Sequence, residues 1–149
     1  MRLAVFADIH ANRQAFSACL DFARARGAER IVCLGDIVGY GADPEWAVDT
    51  VMGLVDDGAI AVIGNHDHAI STPSESMNAV AQAAIEWTRG RLGVAQRRFL
   101  AELPLTRRDG TMCAIRRTPR AASRPPTPTS PSAATSTGPR SIRCHPRRR

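Results

Sequence analysis

The chain has 149 residues, 44% of them hydrophobic, which suits one domain with a genuine core and excludes a wholly disordered or fibrous protein. No apolar run approaches the roughly 20 residues of a membrane-spanning helix, and the N-terminal MRLAVFADIH reaches Asp8 too soon for a secretory signal, so a cytoplasmic location with no membrane partner is expected. The formal charge of +6 is unevenly placed: residues 1–110 carry eleven Arg and all fourteen acidic residues, and residues 111–149 carry nine Arg and no acid.

Taken in chain order, the body alternates two kinds of apolar pattern. RLAVFA (2–7) is a strand-type run. NRQAFSACLDFARARG (12–27) has Asn12 as a helix cap, Gly27 as a stop, and Phe16, Cys19, Leu20 and Ala23 at helical spacing. RIVCL (30–34) is a second strand. Asp43 and Pro44 open a helix that carries Val48, Val51, Leu54 and Val55 and ends at Gly58. AIAVI (59–63) is a third strand. SMNAVAQAAIEWTRGRL (76–92) and VAQRRFLAEL (94–103) read as helices, the second closed by Pro104, and a last short strand is expected near 105–115. The order β-α-β-α-β-α-α implies an α/β fold with a mostly parallel sheet whose near-continuous apolar strands are buried. Trp46 and Trp87 are expected to pack. The four cysteines show no metal-type spacing, and Cys19 and Cys33 are expected in the core.

From about Thr111 the composition changes. Seven of the ten prolines lie there, and the segment has no Trp, Phe, Tyr, Leu or Val. Such a segment cannot bury enough apolar surface to offset the entropy of ordering it, so disorder is expected beyond roughly residue 118. The domain expected to fold is therefore 1–110, followed by an Arg/Pro/Ser/Thr-rich tail, 111–149. The tail arginines permit only nonspecific phosphate contacts with nucleic acid, since no aromatic residues interleave with them for stacking.

Polar chemistry collects where each strand ends. Strand one runs into ADIHAN (Asp8, His10, Asn12), strand two into GDIVGYG (Asp36), strand three into GNHDHA (Asn65, His66, Asp67). In open α/β sheets, groups just past the carboxyl ends of the strands form the site. Carboxylates, imidazoles and an amide suit a divalent ion such as Mn²⁺, Fe²⁺, Zn²⁺ or Ni²⁺. Asp36, on the middle turn, is placed to bridge two ions about 3.5–4 Å apart. Asn12 reads as a cap, His68 as an ordinary surface or core histidine, and Tyr40 and Gly41 either line the cleft or simply make the turn before the Asp43–Pro44 helix start.

The three segments together resemble the calcineurin-like metallophosphoesterases of the small bacterial phosphodiesterase and phosphatase type. The resemblance covers residues 1 to about 110. It implies the N-terminal half of a four-layer α/β/β/α sandwich. It also implies a metal-dependent phosphoester hydrolase with two divalent ions and a small phosphoester substrate. By resemblance, Asp8 and His10 bind the first metal, Asp36 bridges, and Asn65 binds the second. Asn65 and His66 contact the phosphate, and His66 protonates the leaving group with Asp67 orienting it. The family adds later histidine motifs, including a Gly-His-x-His pair. Here the one histidine after His68 is His145, in IRCHP. The alternative expectation is an inactive truncated or frameshifted relic that binds metal weakly without turnover.

Overall fold

The computed structural model describes residues 1–72, 77–110 and 112–115. Three parallel strands, β1 (Leu3–Phe6), β2 (Arg30–Cys33) and β3 (Ile60–Ala61), lie in the order β1-β2-β3. Leu3 pairs with Arg30, Phe6 with Cys33, and Val32 with Ile60. Helices α1 (Arg13–Ala25) and α2 (Pro44–Asp56) make the two crossovers. The chain is thus mixed α/β, as its alternating pattern implies. β3 is shorter than the expected 59–63. The Val62 N–H still bonds Cys33 O, but the Ile63 N–H leaves the sheet for Pro104 O.

Asn12 caps α1, its Oδ1 accepting from the Ala15 N–H at 3.0 Å. Asp43 stands at the cap position of α2 and makes no side-chain cap bond, so Pro44 at the first turn carries that start. Asn78 caps α4 (Ala79–Arg91), accepting from the Ala81 N–H. Helix α5 (Val94–Glu102) follows after Gly93. The single strand expected near 105–115 is a hairpin, β4 (Thr106–Asp109) and β5 (Met112–Ile115), turning through Gly110 at φ +58°. One element was not foreseen: Asn65–Ser71 forms a seven-residue helix, α3, where the sequence pattern marks no element.

Strand alternation sorts side chains onto two faces. On the helical face Phe6, Ile31, Cys33 and Ala61 join Phe16, Leu20, Val48, Val51 and Leu100 in the main core. On the other face Val32, Ile60 and Val62 pack against Ala114 of the hairpin. β1 departs from the buried-strand expectation. Leu3 and Val5 share that second face but remain 41% and 52% exposed, because Ala114 covers only β2 and β3.

Two packing expectations need correction. Cys19 is exposed, since the buried stripe of α1 is Phe16, Leu20 and Ala23 and Cys19 lies to one side of it. Trp46 does pack, edge-on to Phe16, but Trp87 is 48% exposed with the Arg91 guanidinium over its ring. The tail expected to be disordered lies outside the described residues, as does His145.

Candidate metal centre

The turns after β1 and β2 extend the sheet's backbone pairing without being strands. The Asp8 N–H bonds Gly35 O, the His10 N–H bonds Asp36 O, and the Ala11 N–H bonds Ile37 O at 2.8 Å. In return the Gly41 N–H bonds His10 O and the Asp43 N–H bonds Ala11 O. This zipper forces several side-chain-bearing residues into left-handed backbone: Asp8 (φ 54°), His10 (47°), Ala11 (54°), Asp36 (52°) and Tyr40 (58°). Such conformations cost energy for any residue but glycine, and they cluster at functional sites. Every non-glycine residue with positive φ among the described residues lies on these two turns.

The result is a convergent donor set. Asp8, His10 and Asp36 each offer a ligand atom, and these atoms all lie within 4.8 Å of one another. His10 Nδ1 is 3.1 Å from Val38 O, and a carbonyl there can only accept, so Nδ1 carries the proton. In the neutral ring this leaves the lone pair on Nε2, which lies 3.8 Å from Asp8 Oδ1. An imidazole held this way by a backbone carbonyl is the usual arrangement of a metal-ligating histidine. Two carboxylates and one such imidazole fit a borderline or hard divalent cation.

The third turn approaches from β3. Gly64 sits so close that a Cβ on it would collide with the backbone N and Oδ1 of Asp36, so only glycine fits. This contact seats the start of α3 against the second turn, and the His66 N–H donates to Asp36 Oδ1 at 2.9 Å. Asn65 opens the helix half-buried, and its amide makes no hydrogen bond among the described residues. The His66 ring, buried, packs at 4.8 Å from the His10 ring, and its Nδ1 has no partner among the described residues. Burial lowers the His66 pKa, the Asp36 charge opposes that, and His10 lowers it further. His68 is exposed, one turn along α3.

Asp67 sits elsewhere than the sequence implied. It is fully buried, and all its bonds go to backbone rather than to the His66 ring. Oδ1 accepts from the Ile37 and Val38 N–H groups at 2.9 and 3.1 Å, and Oδ2 accepts from Gly64 N–H at 2.9 Å. It staples the second turn to the third and caps α3 from its third position. Burial drives its pKa up to about 6, with the three N–H donors pulling the other way. Tyr40, left open by the sequence between cleft and turn, lies with its ring 5.0 Å from His10 and 4.8 Å from His66.

Residues 1–112 match the calcineurin-like phosphoesterase family. An uncharacterized protein of Methanocaldococcus jannaschii is 38% identical over 105 residues, which span 69% of this chain and 42% of that protein. The crystal structure of a metallophosphoesterase from Sphaerobacter thermophilus superposes with a TM-score of 0.62 at 39% identity, covering 76% of this chain and 45% of that one. A hypothetical protein from Pyrococcus horikoshii shares the fold at TM-score 0.61 and 23% identity, over 72% of this chain and 49% of its own. The chain thus spans somewhat under half the length of these relatives.

Proposed function

The chain belongs to the calcineurin-like phosphoesterase family, and from that premise we propose that it is a metal-dependent phosphoester hydrolase, a phosphatase or phosphodiesterase, acting on a small phosphoester at a dinuclear site. The observation that carries this reading is the convergence of Asp8, His10 and Asp36, with donor atoms within 4.8 Å on two interlocked turns. Asp8 and His10 would hold one divalent ion, Asp36 would be shared between the two, and Asn65, whose amide makes no hydrogen bond among the described residues, would hold the second. Manganese, iron, zinc or nickel all suit these donors. When bound, the ions supply Lewis-acid stabilisation of phosphate charge and a nucleophile at neutral pH.

The chain's own groups do the rest. Asn65 and His66 face the phosphate oxygens. Burial lowers the His66 pKa, and an anionic phosphoester beside it favours the protonated ring, which can then give its proton to the leaving oxygen. Asp67 serves the reaction by fixing the backbone that presents His66 and Asp36. The test is Mn²⁺-dependent hydrolysis of bis-p-nitrophenyl phosphate by the 149-residue chain against Asp36→Asn. Turnover that requires both the ion and Asp36 supports the reading; equal inertness of the two proteins overturns it.

A further inference from the structure

Tyr40 is an unusual residue for its position. The Gly41 N–H bonds Gly39 O at 2.7 Å across it, which makes Tyr40 the centre of a γ-turn with φ +58°. That turn, with positive φ at its centre, is rare and strained, and a bulky aromatic residue is poorly suited to it. Core burial does not offset the strain, since Tyr40 is 52% exposed. Nor does a hydrogen bond, since its hydroxyl has no partner among the described residues. The backbone on either side is locked. A Cβ at Gly39 would run into the His66 ring, and one at Gly41 into His10 O. Tyr40 is therefore the one side chain this turn presents, beside both imidazoles of the site.

We infer that the Tyr40 ring is a stacking surface for the leaving group, and that the site selects phosphoesters whose ester oxygen bears a planar aromatic group. This rests on the phosphoester reading above. A phosphate faced by Asn65 and His66 puts its leaving oxygen beside His66, whose ring centre is 4.8 Å from that of Tyr40. An aromatic ring on that oxygen can pair with the half-exposed Tyr40 ring, an attraction aromatic pairs show at ring-centre separations of about 4.5–7 Å, whereas an alkyl group gains only contact area.

The chain has a single tyrosine, so its ring resonances need no assignment by mutation. Mn²⁺ alone is added first, and paramagnetic broadening of those resonances is expected. The Zn²⁺-loaded chain is then titrated with phenyl phosphate and with ethyl phosphate. The expected result is an upfield shift of the Tyr40 ring with phenyl phosphate alone, and binding about threefold to tenfold tighter than ethyl phosphate. By calorimetry, Tyr40→Gly, which accepts the turn's φ without strain, loses that preference, and Tyr40→Phe keeps it. Absence of Mn²⁺ broadening defeats the metal-site reading and the inference with it. Broadening followed by equal shifts, or a preference retained by Tyr40→Gly, overturns the stacking role alone.

Discussion

Replacing Asp67 by alanine removes three acceptors at once. The Ile37, Val38 and Gly64 N–H groups each bond its carboxylate at 2.9–3.1 Å, around a side chain with no solvent exposure. A buried donor left unsatisfied costs about 1–3 kcal/mol, so three cost at least about 3 kcal/mol even if water enters the space and recovers part. A domain of this size has only about 5–15 kcal/mol in total, so Asp67→Ala is expected to leave the chain barely folded. Asp67→Asn is milder. Its oxygen can still accept from Ile37 and Val38, while its NH₂ faces the Gly64 N–H donor to donor, for a loss of about 1–3 kcal/mol. Urea unfolding in EDTA, followed by circular dichroism, measures both as shifts in midpoint at constant slope. Variants that both fall within about 0.5 kcal/mol of the parent refute the staple and restore Asp67 as a partner of the His66 ring.

The raised Asp67 pKa carries a pH signature. Its folded value of about 6 lies above the ordinary 3.8, so the folded state holds a proton the unfolded state has released. Stability from this group is therefore full below about 4 and declines until pH passes 6, a slope that urea midpoints across pH 4–7 will show and Asp67→Asn will flatten. Burial, with the Asp67 charge second, pushes the Cys33 thiol up to about 12. Iodoacetamide at pH 8 should label exposed Cys19 in the native chain and Cys33 only in denaturant, as peptide mass mapping reads; native labelling of Cys33 contradicts its burial. Gly53 and Gly90 sit on exposed faces of α2 and α4, and a methyl group added at either would meet open space. Gly53→Ala and Gly90→Ala should therefore each raise the unfolding free energy by about 0.5–1 kcal/mol, read from the same urea midpoints.

The parts of this fold that showed in the sequence are those with a local cause. Apolar runs broken abruptly by Asp8, Asp36 and Asn65 marked strand ends, and the periodicity of Phe16, Leu20 and Ala23 marked a helix. Helix α3 did not show, because seven residues are too few to display a period and its cap is Asp67 reaching back to Gly64. The work of Asp67 was hidden because two of its partners lie about thirty residues upstream, at Ile37 and Val38. The resemblance has it orienting His66, whereas its hydrogen bonds go to backbone N–H groups. The exposure of Val5 was equally illegible, since the alternation of a strand says which residues share a face and not what covers that face. Tyr40 stayed open between cleft and turn, because the γ-turn that presents it is closed by backbone atoms of two glycines.

The backbone zipper between the turns has a consequence for how the site fails. Loops ordinarily exchange amide hydrogens fast and open piecemeal. Here the amides of His10, Ala11, Ile37, Val38 and His66 are all committed to partners on another turn. No single ligand-bearing turn can swing away while its neighbours stay in place. Deuterium should therefore enter these amides on the slow timescale of the sheet itself, and the three turns should surrender their protection together as one cooperative unit.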